Sequence, residues 1–124
     1  MTYLDTHVAV WLYEGDRTKL SSAVAKQIES DTLLVSPAVL LEIEYLHERK
    51  KLTVGGSAII RALSRDIGLS ICNLTFAAVA ESALDLRWTR DPFDRLIVAH
   101  AAANDAPLLT KEAKIRRHYE RAIW

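Results

Sequence analysis

Apolar residues along the chain fall into two kinds of pattern, short unbroken runs and longer stretches spaced three and four apart. The runs at residues 2–4, 33–36, 69–74, 107–110 and 122–124 predict five strands. The spaced stretches predict helices between them. Val8, Trp11 and Leu12 share one helical face after Asp5-Thr6. Ser21-Ser22 can cap a short helix reaching about residue 30, with Ala23, Ala25 and Ile28 on its apolar side. Pro37 suits the first turn of a helix that carries Val39, Leu40, Ile43 and Leu46 to about Lys51. The paired glycines at 55 and 56 break the chain before a helix holding Ile59, Ile60 and Leu63. Thr75 caps a further helix through Leu86, Asp91-Pro92 opens another, and a short basic turn precedes the last strand.

Strands alternating with helices predict an α/β domain with a mostly parallel sheet. In such sheets functional groups gather beyond the carboxyl ends of the strands. That position is held by Asp5 after the first strand, Ser36 after the second and Thr110–Glu112 after the fourth. Trp11 and the apolar helix around it read as core, with the edge of a groove for a partner helix as the alternative.

Composition narrows the picture. With 124 residues, half of them hydrophobic, the chain fits one domain spanning residues 1–124. No apolar run approaches the roughly 20 residues that cross a bilayer, and no basic segment precedes an apolar one at the start. A cytoplasmic protein without membrane contact is the expectation. The single cysteine, Cys72, lies in an apolar run and reads as a buried strand thiol. Sixteen basic and sixteen acidic residues cancel, which excludes a protein that coats nucleic acid by net charge alone. It leaves room for a local basic face. The four histidines show no zinc-ligand spacing.

Several acids stand at informative places. Either Asp5 or Thr6 caps the first helix, and capping by Thr6 would free Asp5 for the crevice. Glu42 sits among Ala38, Val39, Tyr45 and Leu46 on a mainly apolar stripe, where a carboxylate needs a partner. Glu44 and Glu48 read instead as a solvated face. In Arg90-Asp91-Pro92-Phe93-Asp94-Arg95, Asp91 reads as an N-cap, while Asp94 shares its face with Ile97, Val98 and Ala101. Glu112 follows a strand, where an acid in the first turn of a short helix is the simplest role.

Taken in order, Tyr3-Leu4-Asp5-Thr6-His7, the segment 36–43 with Glu42, Asp91-Pro92-Phe93-Asp94-Arg95-Leu96-Ile97, Leu108-Leu109-Thr110 and the closing Ile123-Trp124 resemble the PIN domain. More narrowly they resemble the VapC-type ribonuclease toxins of toxin–antitoxin pairs. The resemblance implies a three-layer α/β/α fold with Mg²⁺ or Mn²⁺ held by a quartet of acids. Asp5, Glu42 and Asp94 match the first three, with Asp91 as an extra carboxylate. Glu112 stands where many relatives have Asp, one methylene longer and about 1.5 Å further in reach. The resemblance further implies an RNA substrate, an antitoxin partner and a homodimer.

Such a cluster has a physical requirement. Two unit charges 4 Å apart repel by about 4 kcal/mol at an effective dielectric of 20, so gathered carboxylates need a cation or a retained proton. All-oxygen ligands suit hard ions such as Mg²⁺ and Mn²⁺. Phosphate approaching this centre needs positive partners, and Arg90, Arg95, Lys111, Lys114, Arg116 and Arg117 are the candidates for RNA contact. A phosphatase with an aspartyl nucleophile is disfavoured, because His7 stands where a second Asp is needed. A catalytically inactive module that binds RNA or antitoxin is the alternative, motivated by Glu112.

Overall fold

The computed structural model describes all residues from Met1 to Trp124. Its strands are β1 (Thr2–Leu4), β2 (Leu33–Val35), β3 (Ser70–Ile71), β4 (Leu108–Leu109) and β5 (Ala122–Ile123). They form one parallel sheet in the order β3-β2-β1-β4-β5. The helices are α1 (Thr6–Glu14), α2 (Ser22–Ser30), α3 (Pro37–Glu48), α4 (Gly56–Ile67), α5 (Phe76–Ala83), α6 (Pro92–Ala103) and α7 (Ala113–His118). Every residue of β1 and β4 is buried, including adjacent side chains that point to opposite faces. Burial on both faces requires helices on both sides, which makes the fold a three-layer α/β/α sandwich.

Local chemistry explains most boundaries. Ser21, Ser36, Thr75 and Asp91 each accept a bond from the first turn of the helix they precede, and Pro37 and Pro92 occupy first-turn positions where no N–H is needed. Gly56 is set by packing: a Cβ there would lie 2.4 Å from the Leu40 carbonyl oxygen, so only glycine lets α4 approach α3 so closely. Glu44 completes this junction by accepting a 2.8 Å bond from the Gly56 N–H. The expectation of a solvated Glu44 is therefore corrected.

Three boundaries depart from the pattern by three residues. The third strand keeps only Ser70–Ile71, because it lies at the sheet's edge with both residues exposed. Cys72 is buried just beyond it, and its thiol sulfur accepts a 3.0 Å bond from the Tyr3 hydroxyl. The helix α3 stops at Glu48 and is followed by Lys50 at φ 59°, and α5 stops at Ala83. A short 3-10 turn, Arg17–Lys19, was not signalled by the periodicity. No helix is long and apolar enough to cross a membrane.

Candidate active site

The chain runs β1, β2, β3 toward one edge of the sheet, then returns to place β4 and β5 on the other side of β1. The connections diverge between β1 and β4, which opens a crevice at the carboxyl ends of those two strands. Asp5 and Thr110 are the first residues past them. The Thr110 hydroxyl donates a 2.6 Å bond to Asp5 Oδ2 across the gap and accepts a 3.1 Å bond from the Glu112 N–H.

Asp5 serves two roles with its two oxygens. Oδ1 accepts a 2.7 Å bond from the Thr6 N–H and caps α1, while Oδ2 takes the Thr110 bond. Thr6 is thus not the cap. Its hydroxyl turns toward α3 and donates to Glu42 Oε1. Two threonine hydroxyls therefore orient the two carboxylates that the first strand and the third helix supply.

Asp91 caps α6 by accepting 2.9 and 3.0 Å bonds from the Phe93 and Asp94 N–H groups, and its side chain is exposed. Asp94, in the first turn of α6, is half-buried. Glu112 precedes α7, is exposed and makes no side-chain capping bond, so its carboxylate is free to turn toward Asp5. Three of these acids are raised by burial and by their acidic neighbours. Burial raises the Asp5 carboxyl pKa above its usual range, against the bonds from Thr110 and Thr6. Burial likewise raises Glu42, with Asp5 and Asp91 adding repulsion. Asp94 is pushed up to about 7, by burial first and then by Asp5, Asp91, Glu42 and Glu112.

The donor chemistry fits a hard divalent cation, since the candidate ligands are all carboxylate oxygens, and burial together with repulsion among them raises the cost of leaving Asp5, Glu42 and Asp94 charged without one. No three acidic, histidine or cysteine side chains stand together as a finished ligand set, so the acids would have to draw inward on binding.

Ser36 does not join this group. It is buried, bonds the Ala38 N–H at 3.1 Å, and its Oγ lies 2.8 Å from His100 Nδ1. The six basic candidates also separate. Arg95 holds the carbonyls of Ala83 at 2.8 Å and Leu84 at 3.2 Å, which ties its guanidinium to the end of α5. Arg90 is exposed beside Asp91, and Lys114 and Arg117 are exposed on α7. Arg116, also exposed, donates to the Lys111 carbonyl at 3.3 Å. Lys111 enters the cleft directly: a hollow of about 220 Å³ is lined by Asp5, His7, Trp11, Lys111 and Glu112. Trp11 is therefore a half-buried wall of the cleft and not core. A larger hollow of about 660 Å³ between α4 and β3 carries no carboxylate. The hydroxyls of Thr6 and Thr110 had a sequence signal in their adjacency to the strand ends, whereas the placement of Trp11 and His7 had none.

With the site described, comparison with known proteins places it in a class. Residues 2–121 match the family model of the PIN domain, and the chain belongs to that family. Over 118 residues it is 30% identical to Ribonuclease VapC22 of Mycobacterium tuberculosis (strain ATCC 25618 / H37Rv), which covers 93% of this chain and 89% of that protein. Its fold is similar to a structure of VapBC2 from Rickettsia felis bound to a DNA fragment from their promoter, at 21% identity and a TM-score of 0.73, covering 100% of this chain and 98% of the other. A toxin–antitoxin complex from Klebsiella pneumoniae matches at 19% identity and a TM-score of 0.72, covering 100% and 97%.

Proposed function

We propose that the chain is a metal-dependent endoribonuclease of the VapC type, a toxin that hydrolyses RNA phosphodiester bonds in the cytoplasm and is inhibited by a cognate VapB-type antitoxin. The observation that carries this reading is that Asp94, pushed up to about 7 by burial first, also feels the charge of Asp5, Asp91, Glu42 and Glu112 around the β1–β4 crevice. The similarity to a VapC ribonuclease supports the same reading. Asp5, Glu42 and Asp94 would hold Mg²⁺ or Mn²⁺, with Asp91 and Glu112 lending further negative charge. Such an ion lowers the pKa of its water and stabilises charge on the phosphate. Thr110 and Thr6 fix the rotamers of Asp5 and Glu42, so that the acids present oxygens and not hydrocarbon to the crevice. Holding the ion would require Asp94 to give up the proton that burial and the neighbouring acids let it keep up to about 7. Lys111, Lys114, Arg116, Arg117 and Arg90 offset the repulsion that phosphate meets at the acids.

An apolar hollow of about 330 Å³ between α3, α5 and α6 supports a homodimer. Leu41 and Phe76 on its rim are 48% and 71% exposed, an unusual exposure for such side chains. The rival reading, an inactive module that binds RNA or antitoxin, rests on the exposed Glu112 and on the absence of a finished ligand set. RNA cleavage that needs Mn²⁺ and is lost in Asp5→Asn and in Asp94→Asn separates the two. Full activity in both variants would remove the proposed site.

A further inference from the structure

The cleft joins groups of different chemistry. Asp5 and Glu112 bring carboxylates to it, and Trp11, Lys111 and His7 bring an indole, an ammonium and an imidazole. Trp11 belongs to α1, whose core side is already supplied by Val8, Ala9 and Val10, so the indole is surplus to the packing of that helix. It stands instead in an aromatic group at the cleft's mouth. The Trp124 ring lies 5.7 Å away at 60°, and the His7 ring 6.0 Å away at 46°. Lys111 Nζ lies 5.9 Å from the Trp11 ring and 5.8 Å from Trp124, and Lys19 Nζ lies 5.8 Å from Trp11. Both lysines are exposed and held by flexible stems.

From this juxtaposition we propose that Trp11, flanked by Trp124 and Lys111, is a nucleobase-stacking subsite that seats one base of single-stranded RNA beside the carboxylates. The inference rests on the ribonuclease reading and adds to it a means of positioning the strand. A flat indole accepts any base by its π-face, and the lysine ammonium groups that cover it can exchange that contact for the phosphate joined to the base. A base seated here would share one hollow with Asp5 and Glu112, which places its phosphate beside those acids. A peptide helix is the poorer occupant, because four of the five lining residues are charged or polar and an apolar helix face would leave them without partners.

The test is binding of a short fluorescent single-stranded RNA to the full chain in a chelator, at fixed salt, by anisotropy. Trp11→Ala is expected to weaken binding about 5- to 150-fold, the effect of losing one base–aromatic stack. Trp11→Leu keeps apolar bulk against Trp124 but has no flat face, and should weaken binding similarly; Trp11→Phe should remain close to wild type. Single abasic nucleotides scanned along the RNA should reproduce the loss at one register, and at that register Trp11→Leu should cost nothing more. Wild-type binding by a folded Trp11→Leu, or a loss that persists in full on an RNA lacking all bases, would overturn the subsite. So would a Trp11→Leu defect confined to binding of a helical antitoxin peptide. Asp5→Asn keeps the two readings apart: loss of cleavage with retained Trp11 dependence supports both, whereas normal cleavage by Asp5→Asn removes the catalytic reading and leaves the stacking result to be judged by its own arms.

Discussion

Between pH 4 and 7 the Asp94 carboxyl keeps its proton in the folded, metal-free protein, where its pKa is about 7, and loses it on unfolding, where an ordinary Asp titrates near 4. The folded state then binds more protons than the unfolded one, so stability falls as pH rises through that window. Asp5 and Glu42 are raised also and act in the same direction. In a chelator at pH 8, Asp94→Asn should therefore melt at a higher temperature than the wild type, and the gap should close near pH 4. Millimolar Mn²⁺ should raise the wild-type Tm and have far less effect on the variant, since a ligand that binds only the folded state stabilises it. Equal melting temperatures at pH 8 would contradict a raised Asp94 carboxyl. Thr110→Val keeps the shape of Thr110 but deletes the hydroxyl that holds Asp5 Oδ2. The expected cost is about 10- to 100-fold in Mn²⁺ affinity by calorimetric titration, as for other groups that orient a ligand.

Elements whose ends are fixed by neighbours in sequence were legible from the pattern. Ser21, Ser36, Thr75 and Asp91 lie directly before their helices, and a cap bonds to residues two or three positions on. The acids at strand ends were legible for the same reason, because the rule that places them is topological and each is adjacent to its strand. Features set by distant partners were not. The edge position shortened β3, Glu44 found Gly56 on the next helix, and Arg95 found the end of α5. Trp11 was misplaced because helical periodicity assigns a face but cannot say whether that face meets core or cleft. Arg95 illustrates the consequence. Arg95→Ala leaves the Ala83 and Leu84 carbonyls without their charged donor and should lower stability by about 1.5–3 kcal/mol in urea melts, with the affinity for RNA unchanged. A loss of RNA affinity at constant stability would restore Arg95 as a contact residue.

For the molecule as a whole, zero formal charge means that the proposed RNA affinity must come from the arrangement of charge and not from its sum. The sheet order supplies the arrangement, since the switch between β1 and β4 collects acids at one crevice while β4 leads straight into Lys111 and the basic face of α7. Replacing Lys114, Arg116 and Arg117 together by Gln should weaken RNA binding. If all three contact phosphate, the log–log salt slope should flatten by about 2, at roughly 0.7 per contact with a single strand. An unchanged slope would remove α7 from the RNA path.

The proposed function has the carboxylates around Asp5 cut RNA with the help of a divalent ion, and the direct measurement is RNA cleavage in Mn²⁺ and in a chelator by the wild type, Asp5→Asn and Arg95→Ala. Cleavage in Mn²⁺ alone is expected of the wild type and Arg95→Ala, and none of a folded Asp5→Asn. Cleavage by Asp5→Asn at the wild-type rate, or a wild-type rate that is the same in the chelator, would contradict it.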